Sequence, residues 1–246
     1  MPTFARDKIE LYFEEFGRGF PVLLFAPGGL RSSIPWWHSP ADAPPRPWMD
    51  PTVALAKQFR IIAMDQRNAG KSRAPIKAAD GWRSYADDHI ALLDHLGVER
   101  CHLMGGCIGS SFALTLCKRV PDRIAAAVLQ NPIGFADNRH VFAETFGGWS
   151  KAMRERDPDL SQAALDRFFD TMFGDDFAFS VTRDDVRNCQ VPLLVMPGDD
   201  PPHPKVVGEE IAKLAPKAEI LREWKGPAHL QEATARVIEF LTRHTP

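Results

Sequence analysis

The chain has 246 residues, 44% of them apolar and 25% charged. That is enough apolar side chain for one sizeable core, and a length that fits one domain carrying an insertion. With 30 basic against 32 acidic residues the formal net charge is −2, and no lysine or arginine run supplies the electrostatic footprint of a nucleic-acid binder.

No stretch approaches the length needed to span a bilayer, and the first residues lack the apolar core of a signal peptide. A cytoplasmic protein without membrane contact is expected. The four cysteines, Cys101, Cys107, Cys117 and Cys189, have no close-paired metal spacing. Neither a metal site nor a disulfide is therefore expected in a reducing compartment.

In chain order, residues 8–16 predict a strand closed by the Gly17-Arg18-Gly19 turn. Residues 21–26 are nearly all apolar, as a strand buried on both faces should be. They end at the breaker Pro27-Gly28-Gly29. Residues 35–51, rich in proline and tryptophan, predict an ordered excursion, followed by a helix over 50–58. A strand over 60–65 leads into the polar loop Gln66-Arg67-Asn68-Ala69-Gly70-Lys71-Ser72.

Helical spacing over 84–96 stops at Gly97. Residues 101–104 predict a strand, a glycine-cysteine turn follows, and a helix runs to about 119. Strands are expected at 124–129, 191–196 and 218–224, with a closing helix over 230–244. Alternating strands and helices predict an α/β fold, a mostly parallel, doubly wound sheet covered on both faces. Residues 131–188 break the rhythm: no strand is expected there, but phenylalanine-rich helical stretches such as 163–173 are. The expected division is a core of residues 1–132 and 190–246 with a helical cap insertion over 133–189.

The chemistry concentrates at Gly105-Gly106-Cys107-Ile108-Gly109. A nucleophile on a sharp strand-to-helix turn has strained backbone and needs tiny neighbours two residues away, which Gly105 and Gly109 provide. The following helix would aim its N-terminal amides and dipole at Cys107 and favour the thiolate. The Ile108 amide would face a developing oxyanion.

These motifs, in this order, resemble the α/β-hydrolase superfamily nearly end to end. Pro27-Gly28-Gly29 resembles the oxyanion-hole loop, and residues 65–72 resemble a D-x-R-x-x-G-x-S loop whose Arg67 braces rather than binds. Gly105 to Gly109 resembles the nucleophile elbow with cysteine replacing serine. Pro197-Gly198-Asp199-Asp200-Pro201 resembles the loop bearing the triad acid, and Gly226-Pro227-Ala228-His229 the loop bearing the histidine. The cysteine nucleophile is similar to that of dienelactone hydrolases. The polar loop and cap resemble those of ring-cleavage-product hydrolases and esterases.

The resemblance implies a triad of Cys107, His229 and Asp200, with Asp199 as second choice and Asp137 a remoter one. It implies an oxyanion hole from Ile108 and Gly28 or Gly29. Many members carry a His-Gly pair where this chain has Ala26-Pro27, and the proline removes one possible donor. His203, in Asp-Pro-Pro-His-Pro, competes as base but reads as a turn residue.

Trp36, Trp37, Phe135 and Trp149 are candidate substrate contacts, and the aromatic cap implies an apolar or aromatic small-molecule substrate. No cofactor is implied, and the assembly is expected to be a monomer or homodimer. The expected activity is hydrolysis of an ester, lactone or thioester through an acyl-cysteine. Acyl transfer, C–C bond hydrolysis or lysis, and non-catalytic ligand binding are the alternatives.

Overall fold

The computed structural model describes residues 2–175 and 177–246. In chain order the elements are β1 (Thr3–Arg6), β2 (Ile9–Phe16), β3 (Pro21–Phe25), α1 (Pro51–Ala54), β4 (Arg60–Met64), α2 (Trp82–His95), β5 (Cys101–Gly106) and α3 (Ile108–Arg119). There follow β6 (Ile124–Gln130), α4 (Arg139–Arg156), α5 (Gln162–Phe173), α6 (Arg183–Arg187), β7 (Leu193–Met196), α7 (Lys205–Leu214), β8 (Ala218–Ile220) and α8 (Leu230–Arg243).

The strands form one eight-stranded sheet in the order β1-β2-β4-β3-β5-β6-β7-β8. Strands β1 and β2 run antiparallel, to each other and, for β2, to β4. Every pair from β4 to β8 is parallel. This is the α/β, mostly parallel, doubly wound sheet expected from the sequence.

Alternation along each strand splits the core into two. Leu23, Phe25, Ile62, Leu103 and Val195 point to one face, where α2, α3, α7 and the helices between β6 and β7 cover them. Val22, Leu24, Ile61, Met104 and Leu194 point to the other, against Val237, Phe240 and Leu241 of α8. Both faces are dry because successive residues of a strand project to opposite sides and each side has a helical layer.

Several boundaries differ from expectation: the helix expected over 50–58 shortens to α1, the strand expected over 191–196 to β7, and three differences lie at turns and sheet edges. β1 was not foreseen; four residues carry too little pattern, and its turn needs Asp7 at φ 54°. β5 runs on to Gly106 because Gly105 pairs with Phe25 and Gly106 with Gln130. β8 stops at Ile220, short of 224, where the chain leaves the sheet edge after Leu221.

Between β6 and β7 the chain forms α4, α5 and α6. Phe146, Trp149 and Phe168 meet ring to ring at 5.3–6.1 Å. They belong to the same apolar cluster as the sheet face below. Each such buried side chain contributes roughly 1.5–3 kcal/mol. Among the described residues no helix is long and apolar enough to cross a membrane.

Candidate active site

Cys107 ends β5 and caps α3 with φ 58° and ψ −123°, a left-handed backbone that puts its side chain at the top of the sheet. The turn admits only glycine at its flanks. A Cβ on Gly105 would lie 2.1 Å from the Gly109 carbonyl oxygen, and one on Gly109 2.1 Å from that of Phe25. The Cys107 amide donates to the Gln130 carbonyl at 2.9 Å, and Ser110 Oγ donates to that of Gly105 at 2.9 Å.

The backbone amides of Ile108 and Gly28 face the Cys107 sulfur and favour its thiolate. Gly28 holds φ 115°, with the Trp36 indole packed where its Cβ would be. Pro27 therefore does not prevent this loop from presenting an amide. Gly29 lines the same cavity, facing Thr145 of α4.

The imidazole at the thiol belongs to His203. The 197–204 loop folds back on itself: the His203 amide donates to the Asp200 carbonyl at 2.9 Å, and Nδ1 meets Asp200 Oδ1 in a short contact. Nε2 is buried and has no hydrogen-bond partner among the described residues, and the ring lies close enough to Cys107, in the same cavity, for each to favour the charged form of the other. Gly198 permits the fold, since a Cβ there would lie 2.3 Å from His203 Cβ. Asn138 Nδ2 ties the loop down through the Pro201 carbonyl at 2.7 Å.

Burial opposes ionisation of the Cys107 thiol, but the His203 charge and hydrogen bond and the two amides outweigh it and hold the thiol below its ordinary value. Burial likewise opposes protonation of His203, and here Cys107 and Asp200 prevail and raise it. Both directions favour a thiolate beside an imidazolium, with the Asp200 carboxylate behind the ring.

The placement expected for His229 is corrected. It stands at the start of α8 with a side chain 40% exposed, its Nδ1 3.9 Å from Glu223 Oε2. It shares a surface depression with Asp199 and Lys225 and does not line the Cys107 cavity. Asp199 is 71% exposed and pairs with Lys225 Nζ at 2.6 Å, so it too turns away. Asp200 does reach the imidazole. Asp137 sits in a turn at φ 55° and lies outside the cavity lining.

His203 was passed over because its segment reads as a turn. The turn itself is the signal: in a tight turn residues i and i+3 approach, so an acid and a histidine three apart can bond.

Cys107 opens into a cavity of about 350 Å³. Val141, Phe142 and Phe146 of α4, Phe173 of α5 and Ile133 supply apolar walls, and Trp36 and Trp48 stand at its side. Of the aromatic candidates only Trp36 lines it. Trp37 is buried beneath the elbow, its ring 3.0 Å from where a Gly106 Cβ would be. Trp149, itself on α4, packs with Phe146 and Phe168 and is not among the cavity-lining residues, and Phe135 packs under the Arg139 guanidinium. The missed contacts, Phe142, Phe146 and Phe173, fall on the faces of α4 and α5 that meet the sheet. Among the described residues no cluster of His, Cys, Asp and Glu is arranged to hold a metal ion.

This sheet, elbow and loop order define an α/β hydrolase fold. The chain belongs to that family: the model of the alpha/beta hydrolase fold matches residues 21–224.

Among curated proteins it is 31% identical over 121 residues to RutD of Variovorax paradoxus, whose name assigns it carbamate hydrolysis. The match covers 49% of this chain and 42% of that protein. It is 28% identical over 162 residues to a 2-hydroxymuconate semialdehyde hydrolase of Pseudomonas putida, covering 66% of this chain and 53% of that one. The chain thus spans about half or less of the length of these relatives.

The fold is similar to that of a meta-cleavage product hydrolase of Pseudomonas fluorescens, with a TM-score of 0.71 at 18% identity over 96% of both chains. It is also similar to that of an enol-lactonase of Burkholderia xenovorans, with a TM-score of 0.67 at 22% identity over 98% of this chain and 100% of that one.

Proposed function

We propose that this chain is a hydrolase that opens an ester, lactone or thioester through an acyl-Cys107 intermediate, with His203 as acid and base and Asp200 orienting it. The observation that carries the reading is the meeting of one sulfur with one imidazole and two backbone amides on a strained elbow. Residues 133–189 act as the cap over this centre.

The thiolate of Cys107 attacks the substrate carbonyl carbon, forming a C–S bond and moving the carbonyl electron pair to oxygen. The Ile108 and Gly28 amides receive that oxyanion, a stabilisation that is usually the largest single contribution in acyl transfer. Collapse expels the alkoxide or thiolate of the substrate, which takes the proton from His203 Nε2.

The neutral imidazole then removes a proton from water. Hydroxide adds to the thioester carbon, and the C–S bond breaks to return Cys107 as thiolate and release the acid. Asp200 on Nδ1 fixes the tautomer that keeps Nε2 on the thiol side and stabilises the imidazolium. The apolar walls favour an apolar or aromatic acyl part. The names of the relatives, carbamate hydrolase and semialdehyde hydrolase, support cleavage by water.

Intact-mass measurement during incubation with phenyl acetate, an aryl lactone and an acyl thioester tests the reading. The expected result is an acyl increment on the peptide bearing Cys107, lost in Cys107→Ala. Full turnover of a substrate by Cys107→Ala contradicts it. Added alcohol or amine that captures the acyl group faster than water would make the enzyme an acyltransferase on the same intermediate.

A further inference from the structure

Two guanidinium groups line the Cys107 cavity, those of Arg31 and Arg46, and among the described residues no aspartate or glutamate lines it with them. Arg46 is held between two indoles, 5.3 Å from the Trp36 ring centre and 5.4 Å from that of Trp48. Its Nε donates to the His38 carbonyl at 2.8 Å and its own amide is bound by Ser39 Oγ at 3.0 Å. The Nη1–Nη2 end has no partner among the described residues.

Contact with two indoles and anchoring at Nε remove much of the rotamer freedom of a long side chain before any ligand arrives. Arg31 makes no side-chain bond among the described residues, and its Nη2 lies against Gly148 of α4, 3.1 Å from where a Cβ would be.

An arginine fixed for packing alone does not need its polar end turned to a cavity, and surface arginines of this chain commonly meet carboxylates, as Arg60, Arg123 and Arg222 do. Here the Nη1–Nη2 end has no partner among the described residues while two indoles lie beside the guanidinium. Trp36 also touches Gly28, whose amide serves the sulfur. One indole therefore separates the Arg46 guanidinium from the reacting centre.

We propose that Arg46, clamped between Trp36 and Trp48, forms with Arg31 an anion subsite beside Cys107, so that the substrate carries a carboxylate or phosphate next to its apolar acyl part. The fork of Nη1 and Nη2 matches two oxygens of either group. The subsite deepens the acyl-cysteine reading by naming the substrate class, and rests on it for the word substrate.

The test is protection of Cys107 from iodoacetamide by unreactive ligands of one shape: 3-phenylpropionate, 3-phenylpropyl phosphate and neutral 3-phenylpropanamide. The anions should protect at concentrations about tenfold or more below the amide, as charge-assisted hydrogen bonds predict. The ratio should fall toward one in Arg46→Ala and in Arg31→Ala, with Arg46→Lys between. The better anion identifies the substrate as carboxylate or phosphate.

A ratio near one in the wild type, or one unchanged in both variants, overturns the subsite. In that event acylation of Cys107 by neutral phenyl acetate still reports on the acyl-cysteine reading. Absence of any acylation alongside selective anion protection would overturn the acyl-cysteine reading and leave the subsite standing.

Discussion

The surroundings of Cys107 favour its thiolate. Its pKa is depressed, so the thiolate's contribution is present at high pH and lost as pH falls through the lowered folded value. That of His203 is raised, so the imidazolium's contribution is present at low pH and lost as pH rises through the raised folded value. The two shifts bring the titrations of thiol and imidazole toward each other.

Alkylation of Cys107 by iodoacetamide, followed by mass against pH, should therefore have a midpoint below the roughly 8.5 of a free thiol. In His203→Asn the midpoint should move up. A midpoint at or above the free value in the wild type would remove the pair. Gly109→Ala, whose methyl would strike the Phe25 carbonyl, should cost about 1–3 kcal/mol or more in urea unfolding.

The elbow cysteine and the amide after it were read from backbone geometry, since a strained turn needs its glycines and a helix start offers its amides, whereas Asp200 came from the family resemblance alone. The histidine was not legible in the sequence. Two loops at the same sheet edge each carry one, and linear order favours the later. Only the closure of the loop over Gly198 selects the earlier one.

At the scale of elements, the loop after β4 is held from within. Arg67 Nε donates to Asp88 Oδ2 of α2 at 2.8 Å and Nη1 to Asp80 Oδ1 at 3.0 Å, all three side chains being nearly buried. Asp65 accepts from the Ile34 and Lys71 amides, each at 2.8 Å, tying this loop to the segment that follows the Gly28 turn. Removing one partner leaves an uncompensated buried charge, so Arg67→Ala should lose about 3–5 kcal/mol in equilibrium unfolding. A loss under about 1 kcal/mol would mean that water reaches the site.

Bracing by Arg67 was readable from the motif. The walls of the cavity were less so, because every aromatic of the α4–α5 segment has the same composition signal. Which of them faces the cavity depends on how α4 and α5 rotate on the sheet, and that is decided by packing among Phe146, Trp149 and Phe168.

Over the whole molecule, the two-faced core sets an acid limit. Burial pushes His89 down to about 3 and His102 to about 4, the latter helped by nearby His244. Both lie below the unfolded value of roughly 6.5, so the unfolded chain binds protons that the folded chain refuses. Stability should fall as pH drops from about 6.5 toward 4. Urea midpoints measured across that window should slope downward, less steeply in His102→Gln. A flat profile would place both imidazoles in water.

The mostly parallel sheet and its two covered faces were legible from apolar runs and breakers, but its strand order was not read from them. Nor was the antiparallel edge strand β1, since its pairing with β2 depends on one aspartate turn.

The central claim is that one loop, residues 200–203, supplies both the acid and the base for Cys107. Single-turnover acylation and deacylation in His203→Ala and His229→Ala, side by side, test it most directly. With His203 as base, His203→Ala should slow the reaction by about 10²–10⁴-fold, whereas His229→Ala should stay within about threefold of the wild type. The opposite pattern, with His229→Ala crippled and His203→Ala near normal, would contradict the account.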